Sequence, residues 1–417
     1  MGTERTIIHN CAAAGATYPL LYLEDAVTIV HGPRSCAHIF ASSMDLVEMK
    51  RADRSTLASS RLRCTDMDDS VSVFGGLDLL RDRILDEINS GRRYIFVVTA
   101  CVSGIIGDNV PDLVEAIGRE HPEVFIRAVM ADGNILGEWD KGYVASAEEL
   151  LTLVDDRVRP ENGYVNLIGE RYFYRQERDM SEAAELFEMF GLEVNCHLMY
   201  RTSVDDIRNF RRADLTAIVE VDKVSMALAA MVENRLDIRV ERDLIPTGIR
   251  SFERFAERIG EITGDPGPAI EVAAKVRNEY DRSMSLYRRR TAGKRVIVIS
   301  KFTEDIDWLL ELLADLGMDV LKVGIGVKHI WAQEVKVSAY RDDYRFQKDY
   351  ELEDLRRDLD ELAPDAVVSD SGNLYLEECR CLIYSRPGPG VRGTLAHARR
   401  LYDLMVLPEV PGWRCIE

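Results

Sequence analysis

No apolar run in this chain approaches the roughly 20 residues that span a bilayer, so no membrane-spanning helix is expected. The first residues, Met1-Gly-Thr-Glu-Arg-Thr, lead into no long apolar segment of the secretory kind. A cytoplasmic location follows as the expectation. Excess positive charge is missing too. A formal net charge of −19 speaks against a nucleic-acid partner, because a phosphate backbone needs a concentrated basic face. The phosphate-binding pattern Gly-x-x-x-x-Gly-Lys-Ser/Thr is absent, so the chain is not expected to hydrolyse nucleotides on such a loop. Asp66, Asp68 and Asp69 stand together without the glycine of a calcium loop.

The sequence has an ordinary globular composition, 46% hydrophobic and 30% charged over 417 residues. That length exceeds what one core supports. Its pattern is a repeated strand, loop and helix. Apolar β-forming runs occur at Tyr94–Ala100, Val165–Gly169, Leu192–Cys196, Leu215–Val221, Arg295–Ser300, Asp319–Val323 and Ala366–Ser369. Segments with apolar residues at helical spacing separate them, including 77–90, 181–190, 223–234, 305–316, 351–362 and 394–405. A further short strand is expected at Asp237–Val240. Alternation of this kind implies doubly wound α/β domains with parallel sheets. Three are expected, at 1–160, 161–290 and 291–417, with the region around Thr263-Gly-Asp-Pro-Gly-Pro268 as a connector.

Eight cysteines in a chain of this class do not suggest a disulfide framework. Three have distinctive settings. Cys11 precedes Ala12-Ala-Ala-Gly15, Cys36 follows the turn His31-Gly-Pro-Arg-Ser35, and Cys101 ends the apolar run 94–100 and opens Val102-Ser-Gly-Ile-Ile-Gly-Asp108. Their wide spacing fits buried core thiols as readily as ligands. Their small neighbours, however, leave room for a bulky inorganic cluster and supply backbone N–H donors to it. Cys196, at the end of its strand, is the next informative position. Cys64, Cys379 and Cys381 read as packing residues, and Cys415 as an exposed thiol near the C-terminus.

These pieces resemble the component 1 family of nitrogenases and nitrogenase-like reductases. The resemblance rests on Cys11 with its small residues, His31-Gly-Pro-Arg-Ser-Cys36-Ala37, Thr65-Asp-Met67 leading to Val73-Phe-Gly-Gly76, and Cys101 before Gly104-Ile-Ile-Gly-Asp108. It continues through Val165–Gly169, Leu186–Val194 and Asp315–Val320. It implies three Rossmann-like parallel-sheet domains around a central metallocluster site. It also implies that Cys11, Cys36 and Cys101 hold an interface iron–sulfur cluster, either P-cluster-like [8Fe–7S] or [4Fe–4S], shared with a homologous sister subunit in a heterotetramer. Cys196 would bind a larger iron–sulfur cofactor. The electron donor would be an ATP-dependent homodimeric iron–sulfur reductase, and the substrate a small molecule.

One departure narrows the function. The α-type subunits of the family offer a histidine near the C-terminus to their cofactor, whereas Leu382-Ile-Tyr-Ser-Arg-Pro-Gly-Pro-Gly-Val-Arg-Gly393 has none. His197 and His329 are the nearest substitutes. Dinitrogen is therefore not the expected substrate. Methylthio-alkane reductases, which cleave carbon–sulfur bonds, fit best among the relatives. A cofactor-assembly scaffold and a tetrapyrrole-reductase subunit are the alternatives, the last disfavoured by Cys196.

Overall fold

The structure, a computed structural model, describes residues 11–48, 58–69, 71–170, 181–301, 303–326, 337–371, 374, 376, 379–407 and 415–416. Three sheets organise them. The first contains β1 (Ala26–His31), β2 (Leu62–Cys64), β3 (Tyr94–Thr99) and β4 (Phe125–Val129), in the spatial order β2-β1-β3-β4 with every pairing parallel. The second contains β5 (Glu161–Ile168), β6 (Glu193–His197) and β7 (Ala213–Ile218), in the order β6-β5-β7. In the third, β8 (Arg295–Ser300), β9 (Asp319–Ile325), β10 (Phe346–Lys348), β11 (Ala366–Ser369), β12 (Arg380–Ile383) and β13 (Cys415–Ile416) run parallel in the order β10-β9-β8-β11-β12-β13.

Each order reverses direction once, between β1 and β3, between β5 and β7, and between β8 and β11. At such a reversal the loops leaving the carboxyl ends diverge to opposite faces and open a crevice where ligands bind. The expected α/β architecture with parallel sheets is the one observed. By contacts the chain forms two units. The first (Met1–Gln176, Val194–Ile218, Val224–Glu241) contains the first sheet and nearly all of the second. The second (Glu177–Glu193, Val219–Lys223, Arg242–Glu417) contains the third.

Within the first unit, Val27, Ile29, Ile95, Val97 and Ile126 pack against Leu80 and Ile84 of helix Leu77–Asn89 and Val114 and Ile117 of helix Val110–Glu120. Helix Ala12–Leu21 lies so close to helix Trp139–Leu151 that a side chain at Gly15 would strike the Trp139 carbonyl, and one at Gly142 the Ala12 carbonyl. That approach fixes where Cys11 emerges. In the second unit, Ile297, Val367, Leu355 and Cys381 build the core under the third sheet. Helix Ile249–Thr263 ends at Gly264 in the left-handed region (φ +73°), and Asp265 caps the next helix, Pro266–Thr291, by accepting from the Gly267 N–H.

One expected strand is absent. Residues 237–240 form no strand: Asp237 turns the chain at φ +56° after helix Lys223–Leu236, and the Val240 N–H bonds to the Glu233 carboxylate instead of to a neighbouring strand. Only an isolated bridge from Ala217 to Glu241 follows. Conversely, β2, β4, β10, β12, β13 and helix Trp139–Leu151 were not expected. No helix among the described residues is long and apolar enough to cross a membrane.

Candidate metal centre

Cys11, Cys36 and Cys101 come together in the first unit, around the crevice between β1 and β3. Cys11 stands in extended backbone just before helix Ala12–Leu21. Cys36 lies in the first turn of helix Arg34–Glu48, which follows β1 after only Gly32 and Pro33. Cys101 opens helix Cys101–Ile106 directly after β3 and Ala100. The two crossovers meet at Gly32, where a side chain would lie 2.5 Å from the Ala100 Cβ. Glycine is required for that contact.

All three thiols are free and half-buried. The loop after β4 completes their surroundings. A side chain at Gly133 would lie 3.2 Å from the Cys11 Cβ and 3.3 Å from the Cys101 Sγ. The backbone N–H of Gly133 lies near the Cys101 sulfur, while the Asn134 N–H donates to Asp132 Oδ1 at 2.8 Å. Burial raises the Cys101 thiol pKa, the Gly133 N–H lowers it, and the proximity of Cys11 and Asp132 raises it again. Burial also raises Cys36, with Cys11 and Cys101 next in importance. Neighbouring thiolates therefore penalise ionisation of Cys36 and Cys101 through space. A cationic metal core placed among them reverses that penalty and draws off their protons.

Among the described residues no three His, Cys, Asp or Glu side chains gather closely enough to hold a single metal ion. A multi-iron cluster asks for something else, because its thiolates bind different irons and are spread over the cluster's width. Three convergent thiols, a glycine that leaves the space between two of them open, and a backbone N–H near sulfur fit such a group. They offer one side of a site. Beside them, Ile39 and Ile105 share helix faces with Cys36 and Cys101 at spacings of three and four residues, and both are exposed. Phe74, in the helix that packs against helix Cys101–Ile106, and Ile135, two residues after Gly133, are 89% and 83% exposed.

The other cysteines have different surroundings. Cys64 donates to the Gly32 carbonyl (3.3 Å) and accepts from the Asp66 N–H (3.3 Å), and burial pushes its pKa up to about 11. Cys379 and Cys381 belong to the core of the third sheet. The side chain of Cys415 lies outside the described residues. Cys196 is buried on β6, 3.7 Å from the Thr202 Oγ1, with Asp206 and Glu170 as charged neighbours; burial pushes it up to about 12. It is therefore protonated and enclosed in this arrangement. Contact with a cofactor requires loss of that proton and an opening toward the sulfur.

Next to Cys196, His197 Nδ1 bonds to Glu170 Oε2 at 2.7 Å. Glu170 is fully enclosed and its Oε1 has no hydrogen-bond partner among the described residues. His329 lies outside the described residues. Arg386 pairs with Asp305, and Arg392 with Glu185 at 3.2 Å. Gly324 packs under the Tyr350 ring and Gly390 takes φ +86°, so both serve close packing or a turn. Asp66 pairs with Arg34.

Sequence reasoning missed Gly133 and its neighbours, Glu170, and the His31–Asp108 pair. The turn residues Asp132-Gly133-Asn134 were a signal for the first. The last joins residues 77 apart and leaves no local trace.

The family model described as "Nitrogenase component 1 type Oxidoreductase" matches residues 11–388. A nitrogenase molybdenum-iron protein alpha chain from Methanothermobacter marburgensis is 26% identical over 432 residues, covering 97% of this chain and 88% of the relative. The nitrogenase iron-molybdenum cofactor biosynthesis protein NifE of Clostridium pasteurianum is 26% identical over 325 residues, covering 75% of this chain and 67% of the relative. The solved structure "Nitrogenase Cp1 at pH 5" superposes with a TM-score of 0.68 at 20% identity, covering 99% of this chain and 92% of that one. At that identity it establishes the fold.

Proposed function

We propose, from the premise that this chain belongs to the nitrogenase component 1 type oxidoreductase family, that it is a subunit of a nitrogenase-like reductase. Cys11, Cys36 and Cys101 hold one side of an interface iron–sulfur cluster, and a homologous sister subunit supplies the rest. The observation that carries this reading is the convergence of three free, half-buried thiols, with Gly133 packed against two of them, Cys11 and Cys101. Such a cluster, when bound, supplies one-electron storage and transfer. The chain's own part is to hold the thiolates, to bring the Gly133 N–H near Cys101, and to exclude water with Ile39, Phe74, Ile105 and Ile135 once the sister subunit covers them.

The electron donor is a separate ATP-dependent iron–sulfur reductase, consistent with the absence of a phosphate-binding loop here. A larger iron–sulfur cofactor contacts Cys196 after the enclosure around that thiol opens. The substrate class is a methylthio-alkane, whose carbon–sulfur bond is replaced by one C–H and one S–H bond with consumption of two electrons and two protons. The lack of a C-terminal histidine at 382–393 favours this substrate over dinitrogen. Three domains bounded near residues 160 and 290, and a cytoplasmic location, complete the proposal.

A second reading has its own support. The similarity to NifE of Clostridium pasteurianum fits a scaffold that holds a cofactor without turning over a substrate. Reduction of a methylthio-alkane by the purified complex, supplied with the reductase and ATP, tests the choice: methanethiol release establishes the enzyme. A complex rich in iron that releases none, yet passes its cofactor to an apo-reductase, establishes the scaffold.

A further inference from the structure

His31 is the last residue of β1 and has no exposed surface, yet it is polar and sits directly behind the turn that leads to Cys36. Its ring joins three segments. Nδ1 lies 3.2 Å from the Thr65 Oγ1, and Nε2 lies 2.9 Å from the Asp108 Oδ2. Thr65 Oγ1 in turn accepts from the Gly32 N–H at 3.0 Å, at the start of the Cys36 turn. Asp108 also accepts from the Gly76 N–H at 3.0 Å and closes the turn after helix Cys101–Ile106, its own N–H bonding to the Ser103 carbonyl. The ring is packed so closely that a side chain at Gly76 would lie 2.9 Å from the His31 Cε1. One buried imidazole thus ties the Cys36 turn to the far end of the Cys101 helix.

The proton positions follow from the partners. A carboxylate only accepts, so Nε2 carries hydrogen toward Asp108. Burial holds the His31 pKa below its ordinary value although Asp108 opposes this, so the ring is neutral at neutral pH and Nδ1 accepts from the Thr65 hydroxyl. The Asp108 side chain is only 5% exposed. Its charge is held in place by the imidazole and by the Gly76 N–H, and the pairing leaves a net negative charge. It stands two residues past the end of helix Cys101–Ile106. A fixed charge held inside the protein, where the effective dielectric is well below that of water, acts on a nearby electron-accepting group.

We propose that His31 and Asp108 are a positioning pair for the relay cluster: His31 holds the Cys36 turn against the Cys101 helix, and Asp108 sets a fixed negative charge behind the thiolates that keeps the cluster's reduction potential low. Nothing in the arrangement makes this pair a ligand. The inference rests on the iron–sulfur reading of Cys11, Cys36 and Cys101.

The test uses the complex with its sister subunit, purified without oxygen, in four forms: wild type, Asp108→Asn, Asp108→Glu and His31→Gln. Iron and acid-labile sulfide are counted, and the cluster signal is followed by electron paramagnetic resonance during a redox titration. Asp108→Asn should keep its iron and titrate at a higher midpoint potential, because the fixed charge is gone while the hydrogen-bond shape remains. Asp108→Glu keeps the charge and His31→Gln keeps a donor toward Asp108, so both should titrate close to wild type. An Asp108→Asn complex with full iron and the wild-type potential overturns the proposal. If Asp108→Asn does not load iron, Asp108→Glu decides: a loaded cluster at the wild-type potential supports the role of the charge, and loss of iron there too reduces the pair to a structural tie. A wild-type complex without iron overturns the iron–sulfur reading itself, a result distinct from either.

Discussion

The first and second sheets both carry cysteine at or near the carboxyl ends of their strands, but they treat the thiol in opposite ways. At the first, Cys11 precedes the first helix while Cys36 and Cys101 open the helices after β1 and β3; all three remain half-buried, and Gly133 leaves the space between Cys11 and Cys101 open. At the second, Cys196 lies within a strand, is closed off, and finds a local partner in Thr202. Burial raises the thiol pKa in both regions. In the first, however, the raised values come partly from the thiols' effect on one another, which is the strain that a metal cluster relieves. Burial is the largest cause in both regions, but around Cys196 the further neighbours are carboxylates and not thiols, and a hydroxyl satisfies the sulfur. A ligand thiol is thus recognised by access and by unsatisfied company, and less by its sequence neighbours.

The sharpest break of that comparison is Cys36→Ala. It should remove the relay cluster's iron entirely and loosen the subunit pair, measured by iron content and by sedimentation of the complex. Retention of full iron would show that the three thiols are packing residues like Cys64. Gly133→Val should act next in size. Its side chain must displace the Cys11 Cβ or the Cys101 Sγ, and overpacking of that kind costs about 1–3 kcal/mol, read as a loss of iron affinity of about 5- to 150-fold with the far-ultraviolet spectrum unchanged. The same loss from a valine at Gly118, a helical position where a side chain meets no other atom within 4 Å, would remove the special status of Gly133.

The third sheet supplies a control without thiols at its reversal. There Asp370 accepts from the Lys301 N–H at 2.7 Å, and burial pushes its carboxyl up to about 6. A folded-state pKa raised above the unfolded value near 3.8 means that the folded state holds its proton longer. The stability this carboxyl contributes is therefore complete below about pH 4 and is lost as pH rises to about 6. Asp370→Asn should abolish that segment of the pH–stability curve in denaturant titrations. A curve that keeps its slope between those values would contradict the assignment.

Cys196→Ala is the smallest change expected in the fold, about 1 kcal/mol for the lost sulfur contacts. In iron it should leave the relay signal intact and remove a second signal. Loss of both signals together would mean that the two regions are not separate sites. No change in either would leave Cys196 as a packed thiol and the larger cofactor without its proposed contact.

Much of this was legible before the structure, for physical reasons that differ from place to place. Tyr94–Thr99 announces a buried parallel strand because both its faces are covered and nearly every residue is apolar. Phe125–Val129 does not, since Arg127 faces solvent and the strand is the sheet's edge. Residues 237–240 alternate like a strand, yet the Glu233 side chain takes the Val240 N–H that a neighbouring strand would have needed. At the candidate site the three cysteines were visible from their turns and small neighbours. Gly133 and the His31–Asp108 pair were not, because their roles arise only when β1, β3 and β4 stand side by side and bring distant loops together.

The most direct test of the central claim is the iron and acid-labile sulfide content of the complex purified without oxygen, with electron paramagnetic resonance on the same sample. The account predicts iron bound in proportion to protein, a cluster signal that disappears in Cys36→Ala, and additional iron beyond the relay cluster. A complex that is intact, correctly folded and free of iron would contradict it.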